Sequence, residues 1–143
     1  MKTENNITFV SEKVKFALRD KEKLRRWING CLKDYKKETG NINYIFCTDS
    51  YLLKINKEYL KHNTLTDIIT FDYTEGKMVS GEVFISIERV KENAALFSGS
   101  FKDELHRVMI HGILHLCGHK DKTPRTKKEM TAKEDYYLSL RSF

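Results

Sequence analysis

The sequence has little proline and little cysteine: one proline and three cysteines in 143 residues. Each shortage excludes something. Cys31, Cys47 and Cys117 are too few and too scattered for the disulfide framework of a small secreted protein, and a reducing cytosol, hence a cytoplasmic location, is the compartment they imply. No apolar run approaches the ~20 residues that a bilayer crossing needs, so no membrane association is expected. The opening MKTENNITFV has no apolar stretch ahead of a small-residue cleavage site, so it does not read as a secretory leader. There is no repeat, no low-complexity tract and no Pro/Gly/Ser linker. Residues 1–143 are therefore expected to form one domain, a length at which roughly two-thirds of the unfolded surface is buried on folding.

What is present is ordinary globular material, 40% hydrophobic and 32% charged. Basic residues outnumber acidic ones 26 to 20, giving +6 and a pI near 9.2. That excess suits a polyanionic partner such as RNA. Solvated lysine-rich faces are common, however, so charge alone does not select one.

Hydrophobic periodicity organises the chain. ITFV (7–10) reads as a short strand. Residues 20–38 carry Leu24, Trp27, Ile28, Cys31, Leu32 and Tyr35, the stripe of an amphipathic helix. NINYIFCT (41–48) alternates like a strand. Asp49 or Ser50 can cap a helix through about Leu60, with Leu52, Leu53, Ile55 and Tyr59 on its inner face. TDIITFDY (66–73) and GEVFISI (81–87) are the two strongest strand signals, joined by a loop holding Gly76. Helices are predicted over about 88–98 and 102–117. The second is apolar nearly all round (Leu105, Val108, Met109, Ile110, Ile113, Leu114, Leu116), which places it in the core. Gly118 can supply the left-handed turn that ends it, and Thr123 and Pro124 suit the first positions of a last helix to about Arg141. Strands interleaved with helices predict an α+β fold, a small mixed β-sheet packed with α-helices.

The segment HGILHLCGHKD (111–121) carries the chemistry. His111 and His115 are four apart on a helix, so both rings leave one face about 6 Å apart along the axis and can share one ion at about 2.0–2.1 Å. Two hydrogen-bonded core histidines would show the same spacing, yet this helix is too apolar to offer them partners. Gly118 lets the chain turn back, and Asp121 can then add a carboxylate oxygen. His119 competes for third ligand, but it falls within the turn, and reach favours Asp121. Three protein ligands leave a fourth position free, the pattern of a catalytic rather than a structural zinc site. Cys117 points to another face of the helix and reads as a core thiol. The arrangement is similar to the zincin helix, HExxHxxGxxH or its Asp-ended form, except that Gly112 stands where the peptidases place the glutamate that activates water.

The whole pattern resembles the YbeY-type endoribonucleases, also called rRNA maturation factors, whose signature is HGxLHLxGYDH. His111, Gly112, Leu114, His115, Leu116 and Gly118 match it. TDIITFD (66–72) looks like the family's TDVLSFP strand, INKEYL (55–60) like its LNxxYR stretch and GEVFIS (81–86) like its GDIxIS strand. Glu129, Met130 and Glu134 are similar to its Glu-Met-x3-Glu run. The match runs in order from about residue 45 onward. Three departures stand out: Asp121 replaces the third histidine, His119-Lys120 replaces a Tyr-Asp pair, and Leu60 replaces a basic residue. Lys61 and His62 are the nearest substitutes for that lost RNA contact, and Lys120 opens a basic run continuing through Lys122, Arg125, Lys127 and Lys128.

The resemblance implies a metal-dependent endoribonuclease with one zinc ion per chain on His111, His115 and Asp121, specific for single-stranded RNA. It further implies work on rRNA precursors at the 3′ end of the small ribosomal subunit, and in ribosome quality control. With no base at Gly112, the candidate nucleophiles are metal-bound hydroxide and the RNA 2′-OH, and Asp67 is a candidate base unless it merely caps a turn. Two readings compete: a non-catalytic ribosome- or RNA-binding assembly factor whose metal only holds the fold, and a divergent zincin-like peptidase.

Overall fold

A computed structural model describes residues 6–62 and 64–143; of the opening stretch tested for a leader, residues 1–5 lie outside them. The elements run β1 (Ile7–Ser11), α1 (Lys21–Asp34), β2 (Glu38–Cys47), α2 (Asp49–Tyr59), β3 (Ile68–Asp72), β4 (Met78–Ser86), α3 (Ile87–Leu96), α4 (Phe101–Leu116) and α5 (Pro124–Ser139). The sheet order is β1-β2-β4-β3. β1 pairs parallel with β2 and β2 with β4, while β3 runs antiparallel to β4 along one edge. This is the mixed α+β sheet that the sequence predicts.

Strand alternation decides which helix goes where. Ile42, Tyr44 and Phe46 of β2 and Val83 and Ile85 of β4 face one side, where they bury against α1, α3, α4 and α5. Ile45, Cys47, Ile69 and Phe84 face the other side, covered by Leu52 and Ile55 of α2. α4 is the central element of the larger layer, with Met109, Ile110, Ile113 and Leu114 fully buried. Each such side chain contributes about 1.5–3 kcal/mol of burial free energy. Buried polar groups cross-link the layer: Tyr44 Oη donates to Met109 O at 2.9 Å and Trp27 Nε1 donates to Tyr137 O at 2.8 Å.

Several local expectations change. α1 ends at Asp34, short of the 20–38 stretch that carries its stripe, and Glu38 already belongs to β2. β2 and β4 each begin about three residues earlier than their alternation suggests. The α2 cap is Thr48, whose hydroxyl accepts from Tyr51 N at 3.2 Å, not Asp49 or Ser50. Asp49 instead accepts from Ser86 Oγ at 2.6 Å and pairs with Arg89 at 2.8 Å, which ties the start of α2 to the start of α3. Tyr59 also leaves the inner face of α2 and stands 66% exposed.

Candidate metal centre

α4 is built to hold its histidines in place. Ser100 caps its start by accepting from Asp103 N at 3.0 Å. Its end is a Schellman turn: Gly118 N donates to His115 O at 2.9 Å and His119 N donates to Leu114 O at 3.0 Å. Gly118 takes φ +105, a conformation closed to most side chains. The turn sends the chain back beside α4, and Thr123 and Thr126 then open α5 with reciprocal caps and Pro124 in its first turn.

That return brings Asp121 to the histidines. One ligand atom each from His111, His115 and Asp121 lie within 4.8 Å of one another. Asp121 Oδ2 is 3.3 Å from His111 Nε2, and Asp121 Oδ1 is 3.3 Å from His115 Nε2. Both separations exceed the usual N–H···O range of about 2.7–3.2 Å. The two carboxylate oxygens each face a different ring nitrogen, so the three side chains converge on one point, as the ligands of a single ion would. The donor set therefore fits a divalent ion, with one neutral nitrogen from each ring and one carboxylate.

The far side of His111 is anchored as well. Its Nδ1 lies 2.5 Å from Glu134 Oε2, and Glu134 Oε1 accepts from Arg107 at 3.0 Å. Glu134 is only 7% exposed. A carboxylate on the remote nitrogen fixes the ring's orientation and tautomer, leaving Nε2 as the ligand atom. Burial works against a charge on His111, but the Glu134 bond and charge, then Asp121 and Asp67, carry its pKa above the ordinary value. His115 goes the other way, lowered by burial and by neighbouring His111. Sequence reasoning used Glu134 only as part of a matching run and missed Arg107. A signal for Glu134 existed: it shares the buried stripe of α5 with Met130 and Tyr137, where an unpaired carboxylate would be costly.

The three residues open onto a cleft of about 860 Å³ between α4, β3 and the segment after α2, lined also by Asn56, His62 and Thr70. Asp67 and Glu104 line it too, and burial raises the pKa of both. Asp67 is not just a turn residue: its carbonyl accepts from Ser86 N at 3.0 Å while its half-buried carboxyl shares the cleft with His111. Of the basic residues singled out, His62 lines the cleft, whereas Lys61 and Lys120 are exposed and do not; Lys122 does. His119 accepts no role in the trio, since Tyr35 Oη meets its Nε2 at 2.6 Å. Cys117 packs half-buried against the core, and burial pushes its thiol up to about 11.

Gly112, where the peptidases carry their base, packs closely on the sheet. A Cβ on Gly112 would lie 3.0 Å from Val83 Cγ1 and 3.2 Å from Ile68 Cδ1. α4 presses on the sheet there, so a side chain at position 112 would require Val83 and Ile68 to shift. Fold and site together define a zincin-like class: a helix with a His-x3-His pair laid on a small mixed sheet, with a candidate metal donor set at an open cleft.

Comparison with known proteins narrows that class. A family model described as Endoribonuclease YbeY matches residues 6–141, and the chain belongs to that family. It is 50% identical over 141 residues to the endoribonuclease YbeY of Cytophaga hutchinsonii, covering 98% of this chain and 99% of that protein. It is 46% identical to the Bacteroides fragilis protein of the same name, covering 94% of this chain and 97% of that one. The solution structure of TM1509 from Thermotoga maritima superposes with a TM-score of 0.64 at 26% identity, covering 93% of this chain and 87% of that one. The activity those family names carry is internal cleavage of RNA. Among the described residues no helix is long and apolar enough to cross a membrane.

Proposed function

We propose that the protein is a one-domain, cytoplasmic, zinc-dependent endoribonuclease specific for single-stranded RNA. It acts on rRNA precursors at the 3′ end of the small subunit and in ribosome quality control. The observation that carries the reading is the anchored donor set: His111, His115 and Asp121 with ligand atoms within 4.8 Å of one another, and Glu134 and Arg107 behind His111.

A zinc ion held there supplies Lewis-acid polarisation of a phosphoryl oxygen and lowers the pKa of water beside it. The chain's own residues do the rest. Glu134 keeps Nδ1 of His111 occupied, so only Nε2 faces the cleft. Asp67, its proton affinity raised by burial, is placed to take or return a proton at the substrate. His62 and Lys122 line the walls, where phosphates would run, Lys122 with a positive charge and His62 as a hydrogen-bonding ring. The exposed Lys61 and Lys120 add charge nearby. Against a peptide substrate, Gly112 leaves the helix without the base that the peptidases use.

The test pairs purified, metal-analysed protein with a single-stranded RNA, beside a His115→Ala control prepared identically. Cleavage by the first and none by the second is expected. Equal cleavage by both would assign the activity to a contaminant.

A further inference from the structure

We infer that Tyr59 is a stacking platform for an unpaired nucleobase at the rim of the metal cleft. The inference rests on the endoribonuclease reading above and names a contact which that reading leaves open.

α2 has an apolar stripe, Leu52, Ile55 and Tyr59, and its first two members are buried under the sheet. The third is not. Tyr59 keeps 66% of its surface in solvent, at the last residue of the helix. An exposed ring is usually a loose one, yet this one is held: it stands perpendicular to Phe71, with centroids 6.1 Å apart and planes at 84°. Phe71 is in turn braced by Phe84 at 5.8 Å and 86°. Such edge-to-face contacts orient a ring while leaving much of it uncovered.

The platform is next to the cleft. Asn56, one turn earlier, lines the cavity, as do Leu60 and His62 just after. Those residues are locked to the end of the helix. Leu60 N and His62 N both donate to Asn56 O at 3.1 Å, and the Asn56 side chain donates to Thr64 O at 2.8 Å. Lys61 sits at φ +56 to make this turn. The backbone that carries Tyr59 is thus the backbone that walls the cleft.

Single-stranded RNA presents unstacked bases that proteins hold on aromatic faces, with little regard to sequence. A strand whose phosphate lies at His111, His115 and Asp121 and whose path leaves past His62 would meet Tyr59 next. Double-stranded RNA has no free base to offer it, so the platform also supplies single-strand preference.

The experiment uses the metal-loaded full chain and a fluorescent 2′-O-methyl oligonucleotide, single-stranded and resistant to cleavage. Binding is measured for wild type, Tyr59→Phe and Tyr59→Ala across a salt series. Tyr59→Phe should bind as wild type, and Tyr59→Ala about tenfold more weakly. The salt slope should stay unchanged, because a stacking contact releases no counterions. Placing an abasic site at one position along the strand should erase the difference between wild type and Tyr59→Ala. The proposal fails if Tyr59→Ala binds as wild type, if Tyr59→Phe matches Tyr59→Ala, or if the loss comes with a shallower salt slope. Wild type that binds no single-stranded oligonucleotide overturns the endoribonuclease reading itself, a result distinct from those three.

Discussion

His106 and His111 lie five residues apart on α4, both largely out of solvent, and their surroundings are opposite. At about 100° per residue they leave the helix roughly 140° apart. His106 points to Trp27 and Phe143, with ring centroids at 5.9 and 5.5 Å, and its Nδ1 lies 2.7 Å from Arg141. An arginine only donates, so that nitrogen must be bare and the ring neutral. Burial, then Arg141 and Lys102, push its pKa down to about 4. His111 meets a carboxylate on each side, Glu134 on Nδ1 and Asp121 near Nε2. One helix therefore carries a histidine kept from protons by a cation and another made attractive to cations by anions. Burial is common to both; the partner supplied by the rest of the chain decides the role.

The sharpest way to break that contrast is to remove each ring in turn. His111→Ala and His115→Ala should lose the bound ion entirely, whereas His106→Gln should retain it. Elemental analysis of the three proteins, purified identically, decides it; full metal occupancy in His111→Ala would overturn the ligand assignment.

The next effect belongs to His106 and appears in acid. Its folded pKa, about 4, lies below the ordinary ~6.5 of the unfolded chain. Between those values the unfolded state binds a proton that the folded state refuses, so stability falls as pH drops from about 6.5 to about 4 and this contribution is flat below. The loss is on the order of 3 kcal/mol, undiscounted because the ring is only 3% exposed. Denaturant unfolding of wild type and His106→Gln across that window measures it. The wild-type curve should fall away from the variant's as pH decreases, and parallel curves would show that His106 is not the source.

Glu134→Gln tests the other ring without deleting it. The amide can still accept from Nδ1–H but brings no charge, and metal affinity should drop about 10–100-fold. Competition with a chelating dye reads the affinity directly. Unchanged affinity would reduce Glu134 to a packing role.

What could be read in the sequence was local. His111, His115, Gly118 and Asp121 fall within eleven residues, so helical spacing and one turn relate them without any knowledge of the fold. The strands of β2 and β4 announce themselves because one pattern of alternation serves both faces of a sheet covered on both sides. Glu134 is 23 residues from His111 and meets it only after α5 folds back along α4. Tyr59 looks like one more core residue, since periodicity describes a helix face without telling where the sheet beneath it stops. Nor does the spacing show that Gly112 is pressed on Val83. Lys61 is close to Leu60 in sequence, but the left-handed turn leaves it exposed and His62 lines the cleft instead.

The smallest expected effect concerns the second of the two carboxylates around His111. Asp121→His exchanges an anionic oxygen for a neutral nitrogen, raising the net charge of a zinc site from about +1 to about +2. Imidazole is a softer ligand than carboxylate, and nitrogen suits zinc while oxygen suits manganese and magnesium. The variant should therefore hold zinc at least as tightly as wild type, a change smaller than about tenfold or 1.4 kcal/mol, while its tolerance for manganese and magnesium declines. Geometry favours the exchange, because Asp121 lies on the turn after Gly118 and not within a helix, so the longer side chain can be accommodated by the backbone. Asp121→Ala supplies the baseline, two protein ligands only. Zinc affinity equal in all three proteins would mean that Asp121 is not a ligand. His119 would then have to leave Tyr35, 2.6 Å away, to complete the site, and Tyr35→Phe should in that case tighten zinc binding instead of leaving it alone.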